Sequence, residues 1–313
     1  MKIQKNYPKV KVQKMKNKTT SATLVALAAQ IIFGFSFMFT KIALGYASPM
    51  TVIADRYIVA FISLSVVMFL TKTKIKFRKN IWKLALMSAF QPVLYFIFET
   101  YGVQMTTSAF SSIMISLIPV VSMISGIFIL KEVPSPMQYV FTALAVCGVV
   151  IMALAGNADG TVTPLGVLLL FGAVVSSVGY NIASRKISAE FDPFERTYAM
   201  TIVGLIAFLS IALIENIHDP IKIVSSFAEP SFIFAEFFLG VISSVIAFLC
   251  MNYANTYLPV AKTTVFANFT TVVSVIAGAI FLDEKLTVQA IISTLMIIIG
   301  VWGVQMLNVK KKG

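Results

Sequence analysis

Ten apolar runs, each about as long as a bilayer is thick, follow one another through this chain with only short polar links between them. They cover 22–44, 50–71, 81–101, 106–130, 137–155, 164–186, 193–215, 231–254, 259–282 and 288–307. A transmembrane helix uses about 20 residues. Charged residues make up 12% of the chain and hydrophobic ones 58%, where a soluble domain is about 25% charged. With a mean hydropathy of +0.89, a soluble two-domain enzyme is excluded, and so is a disordered chain. Pro164, Pro193 and Pro259 begin spans, where a missing N–H is harmless. The expectation is an all-α integral membrane protein whose short links make consecutive helices antiparallel neighbours.

The net charge of +12 is distributed by side. Lys2, Lys5, Lys9, Lys11, Lys14, Lys16 and Lys18 precede the first run without a single acid. Even-numbered links carry Lys72, Lys74, Lys76, Arg78, Lys79, Lys131, Arg185, Lys186 and Arg196. Odd-numbered links hold only Lys222 and Lys285, beside Asp159, Glu215, Asp219, Glu229, Asp283 and Glu284. Basic residues accumulate on the cytoplasmic side, which places both termini inside. The lipid bilayer thus explains the basic clusters, and no nucleic-acid partner is expected. One histidine and two cysteines in apolar runs give no metal site. Phosphate-binding loops and nucleophile–base motifs are missing as well, so neither a cofactor nor an enzymatic reaction is expected.

The chain repeats itself. Pro119–Glu132 reads PVVSMISGIFILKE, and the segment that starts 152 residues later, at Thr271, reads TVVSVIAGAIFLDE. The same offset carries Tyr101 to Tyr253 and Gly148 to Gly300. Spans 3–5 therefore correspond to spans 8–10. Five is an odd number, so the second half enters the membrane upside down. The expected architecture is ten transmembrane helices as two inverted five-helix repeats, 22–155 and 164–307, flanked by basic cytoplasmic tails 1–21 and 308–313. Inverted repeats are the architecture of secondary transporters, with substrate held near the midplane between them.

Polar groups inside spans mark candidate functional positions, because lipid cannot satisfy them. Gln91, Tyr95 and Glu99 recur at i, i+4 and i+8, on one face of the third helix. Glu99 has Met251 as its counterpart in the second half. An acid without a symmetry mate points to a functional role, either carrying a proton or holding a substrate ammonium. Pairing with Lys41 or Arg56 is the competing explanation. Lys41 shares a face with Gln30, Phe33, Gly34 and Phe37, and would attract a carboxylate. Arg56, beside Asp55, also fits a side chain that reaches the headgroups, as do Glu236 and Lys262 near their helix ends. Asn181 and Asn268 are further candidates to line the path, with Phe33 and Phe37 as walls or gates. The row Ser108, Ser112, Ser116 suits close helix packing, and Pro92 and Pro119 should loosen helices 3 and 4.

These residues resemble a family pattern. Gly34 with Lys41 seven residues on, Pro49 with Arg56 seven on, and Val-Val-Ser, Gly, Leu-x-Glu and Gly-Val at the end of each half look like EamA-type proteins of the drug/metabolite transporter superfamily. Where such proteins often carry Trp before the first-helix glycine, this chain has Phe33, and Thr271 replaces a proline. The resemblance implies a secondary carrier in the bacterial cytoplasmic membrane. It would export a small metabolite, an amino acid or derivative, by alternating access and with protons as candidate coupling ions, acting as a monomer or homodimer. A multidrug exporter and a non-transporting membrane scaffold are the alternatives.

Overall fold

Helix starts in this chain are written as a hydroxyl or carboxylate followed by proline. In the structure, a computed structural model, Ser48, Thr163 and Asp192 each accept a hydrogen bond from the backbone N–H three residues on, satisfying an otherwise orphaned donor. Asp192 and Glu195 complete a reciprocal capping box. The structure describes residues 9–73, 75, 80–130, 132–133, 135–158, 161–258, 266–284, 287–306 and 310–311. Pro259 and Lys262 fall outside them.

Among these residues the chain forms ten helical rods: α1 Lys9–Ala43, α2 Pro49–Thr71, α3 (Trp82–Ser88, Ala89–Leu94, Tyr95–Gln104), α4 (Ser108–Ile115, Ile118–Leu130) and α5 Pro136–Ala158. There follow α6 Pro164–Ile187, α7 Pro193–Glu215, α8 (Pro230–Phe237, Phe238–Ala247, Phe248–Tyr257), α9 Ala267–Phe281 and α10 Val288–Met306. Seven helices are long and apolar enough to cross a membrane among the described residues, and two shorter ones, Phe269–Phe281 and Val288–Val304, are apolar. The protein is therefore an all-α, multi-pass membrane protein. α1 begins well before the apolar run, because lysine and glutamine are good helix formers and carry the helix outward.

α3 is broken where its proline forbids a regular turn: Gln91 leaves helical geometry (φ −145°, ψ 116°) before Pro92, within the π-helical stretch Ala89–Leu94. α4 breaks at Ser116 and Leu117, just ahead of Pro119. α8 carries its own π-helical stretch, Phe238–Ala247, which spans the positions 152 residues after 89–94.

Packing between the halves is reciprocal. α1 lies on α8 and α9 while α6 lies on α3 and α4; α2 faces α7, and α5 faces α10. Short strands Glu132–Val133 and Lys310–Lys311 pair antiparallel, which puts the α4–α5 link and the C-terminal segment on one side. α4 and α9 are tied by hydroxyls, with Ser274 donating to the Ser108 carbonyl at 3.1 Å and Thr271 to that of Ser112 at 3.3 Å. At the α5–α10 seam the repeated glycines allow close approach. A Cβ on Gly148 would fall 2.7 Å from Ile297 Cγ1, and one on Gly300 would fall 2.6 Å from the Phe141 carbonyl oxygen. Gly300→Ala is accordingly expected to destabilise the protein by about 1–3 kcal/mol, measured as a lower melting temperature in detergent. Gly45→Ala, whose methyl would meet only the Ile42 carbonyl at 3.2 Å, is expected to lower it less and serves as the comparison.

Candidate functional site

The polar face of α3 does what its spacing predicts, in spite of the break at Gln91. Gln91, Tyr95 and Glu99 line a cavity of about 70 Å³ enclosed by α1, α2, α3, α4, α6, α8 and α9. Gln30, Phe33 and Phe37 join them from α1, Arg56 from α2 and Asn181 from α6. The site thus draws on both halves. Eight of the ten sequence-derived candidates meet there.

Arg56 is buried (3% exposed) and does not reach the headgroups. Its Nε donates to Ser244 Oγ at 2.7 Å and its Nη2 to Ser243 Oγ at 2.9 Å, and the guanidinium lies 4.2 Å over the Phe96 ring, a cation–π contact. Ser36 donates to Ser243 at 2.8 Å, so α1, α2 and α8 meet at this serine. Glu99 is 2% exposed and its Oε2 accepts from Thr100 Oγ1 at 3.2 Å. Among the described residues no ion pair within 4.0 Å joins Glu99 to Arg56 or Lys41. Glu99 and Arg56 thus share one cavity without a direct ion pair. Gln30 is held by Thr270, which donates to its Oε1 at 2.7 Å, and Asn181 accepts from Asn255 at 3.3 Å.

Lys41 does not line the cavity. Its ammonium donates to the carbonyls of Val103, Gln104 and Thr106 at 2.9, 3.5 and 2.5 Å, satisfying the C-terminal end of α3, where a cation is favoured. The second half repeats this device: Arg185 Nη1 donates to the carbonyls of Asn255 and Thr256 at 2.8 and 2.6 Å, the positions 152 residues after Val103 and Gln104. The side chain of Asn268, in α9, lies outside those described.

Several contributors were absent from the sequence-derived set. Phe248 is the hub of the aromatic wall, with ring centroids 5.2 Å from Phe33, 6.3 Å from Phe96 and 6.2 Å from Tyr180. Ser243 and Thr270 add hydroxyls. The repeat held the signal for two of these, because the 152-residue offset carries Gln91 to Ser243 and Phe96 to Phe248. Arg196, counted above as a link charge, is fully buried. It donates to Ser184 Oγ at 2.7 Å and to the Asn252 carbonyl at 2.6 Å, while Tyr180 and Ser184 donate to Asn252 Oδ1 at 3.1 and 2.9 Å. This network ties α6, α7 and α8 together behind Tyr180, which lines the cavity.

Comparison with known proteins fits this arrangement. The model of the EamA-like transporter family matches residues 20–154 and again 164–306. The chain is 32% identical over 304 residues to an "Uncharacterized transporter YcxC" of Bacillus subtilis (strain 168), covering 95% of this chain and 96% of that one. An "Uncharacterized transporter" of Archaeoglobus fulgidus is 24% identical over 279 residues, covering 89% and 96%. A solved structure titled only "Crystal structure of protein" superposes with a TM-score of 0.63 at 18% identity, over 92% of this chain and 98% of that one, a likeness of fold. A family model that matches twice points to duplicated halves, and the family consists of transporters rather than enzymes. With two matches that together span nearly the whole chain, this protein belongs to the EamA-like transporter family.

Proposed function

We infer that this membrane transporter is a ten-span carrier of two inverted five-helix halves, 22–155 and 164–307. It exports a small zwitterionic metabolite, an amino acid or derivative, by alternating access. The observation that carries the reading is the pair of Arg56 and Glu99 in one aromatic cavity between the halves. Arg56 spends two nitrogens on serines, leaving Nη1 for a substrate carboxylate. Glu99 spends one oxygen on Thr100, leaving Oε1 for an ammonium or a proton. Gln91, Tyr95 and Asn181 offer further hydrogen bonds, and Phe33, Phe37 and Phe248 form the apolar wall. Arg56 replaces Lys41 as the carboxylate-binding cation, because Lys41 is occupied by backbone carbonyls. The direction of transport and the substrate class draw on the family resemblance. The excess of lysine and arginine in the even-numbered links supports cytoplasmic termini, and bacterial relatives support the cell membrane.

Counterflow into proteoliposomes loaded with mixed amino acids should show uptake of one or a few labelled species. Glu99→Gln and Arg56→Lys should each reduce that flux about tenfold or more, corresponding to ~1.4 kcal/mol of lost interaction, since lysine cannot reproduce the planar fork of arginine. No flux of any amino acid would overturn the substrate class. Flux of unrelated aromatic cations, with none of amino acids, would favour a multidrug exporter, which the aromatic lining also suits. The orientation has its own check: a cysteine introduced at position 13 should react with an impermeant thiol reagent only after the cytoplasmic face is exposed.

A further inference from the structure

Two buried acids lie outside the cavity and take no part in its chemistry. Asp55 on α2 and Glu236 on α8 are both 0% exposed, and all four of their carboxylate oxygens lack a hydrogen-bond partner among the described residues. Neither lines the cavity, and Glu236 does not reach the interface its position suggested. Each sits six residues into its helix, after Pro49 and Pro230, a depth of about 9 Å along the axis. α2 and α8 are in tight contact one turn further on, and the 181-residue spacing that sets Val59 against Gly240 there also separates Asp55 from Glu236. There, a Cβ on Gly240 would lie 2.6 Å from Val59 Cγ1 and 3.0 Å from the Arg56 carbonyl oxygen.

Two unpartnered carboxylates cannot both stay ionised in such a place. Ala235 and Leu239, which flank Glu236 on α8, and Val52, one turn before Asp55 on α2, pack in one apolar cluster with Met38, Phe39 and Ala43 of α1 and Ala277 of α9. Of the charged groups on the elements packed against the seam, the Arg56 guanidinium is near enough to act on Glu236, and the others are engaged or distant. Arg56 holds Ser243 and Ser244, Lys41 holds the end of α3, and Glu99 faces the cavity. Arg196 and Glu215 lie at the two ends of α7, and Lys222 lies in the exposed turn before α8. A metal ion would require about six oxygen ligands, and the pair supplies four. A proton requires no added space.

We propose that Asp55 and Glu236 form a proton-binding pair at the α2–α8 seam, separate from the substrate cavity. Protons taken up from water as carboxyl O–H bonds neutralise the seam and let α2 and α8 pack as seen; their release leaves like charges facing each other and parts the helices. The chain neighbour of Asp55 is Arg56, and the serines it grips lie two turns beyond Glu236 on the same helix. Parting the seam therefore moves the cavity wall. This coupling rests on the carrier reading above, whereas the binding of protons does not.

An infrared pH titration of the purified full-length protein separates the two, since it needs no substrate. It would follow the carbonyl band of protonated carboxylic acids, in a Glu99→Gln background so that the cavity acid is silent. The expected result is a buried-acid band lost in two separate steps as pH rises, because interacting sites titrate as a pair. Adding Asp55→Asn or Glu236→Gln should leave a single step, and both together should leave none. A band unchanged by either substitution overturns the proposal, as does displacement of the band by sodium at fixed pH, which would make a metal ion the occupant. Should counterflow of amino acids fail while the titration succeeds, the substrate class proposed above falls and the proton site stands.

Discussion

A polar side chain inside a bilayer has no water to turn to, and that constraint accounts for where most buried polar groups of this chain have gone. Hydroxyls on single helices return to the carbonyl four residues back, as Thr197 and Thr201 do. Others stitch helices together, as Ser274 and Thr271 do between α9 and α4. Arginines and amides collect into closed networks around Ser243 and Asn252. Among the groups these contacts leave over, the ionisable ones are Asp55 and Glu236 at the α2–α8 seam, and the functional reading rests on them and on the polar groups that line the cavity.

The same constraint explains the helix ends. Backbone carbonyls at the end of a rod need donors, and both halves meet the need with a cation from their first helix: Lys41 for α3 and Arg185 for α8. Glu284 supplies the converse at a helix start, accepting from the backbone N–H groups of Ser108 and Ala109 at 2.7 and 3.1 Å, where an anion is favoured. This last contact joins the second half to the first and gives the Leu-x-Glu motif of the second half a physical purpose.

Much of this was legible in the sequence. Hydrophobic runs of bilayer length mark most of the rods within a few residues, α1 excepted, which starts at Lys9, and the 152-residue repeat matches spans 3–5 with 8–10 without saying which helices pack on which. The face Gln91, Tyr95, Glu99 was readable from helical spacing alone. Lys41 and Arg56 were harder, because spacing along a helix says which side a residue is on but not what stands opposite. One cation met carbonyls and the other met serines and an aromatic ring. Glu236 looked close enough to a helix end to reach water, and only the packing of α1 and α2 around α8 reveals that it cannot. Phe248 was missed because a phenylalanine among phenylalanines carries no signal, except through its counterpart Phe96.

Glu99 and Met251 occupy equivalent places in the two halves, and this difference bears on the architecture itself. A carrier assembled from two identical subunits can present charges at its central axis only in equal numbers from each, so an acid there always faces its own copy. Joining the halves in one polypeptide removes that parity rule. One acid can then stand opposite one thioether, and the cavity acquires a distinct head and tail, which is the geometry required to hold a solute whose two ends differ.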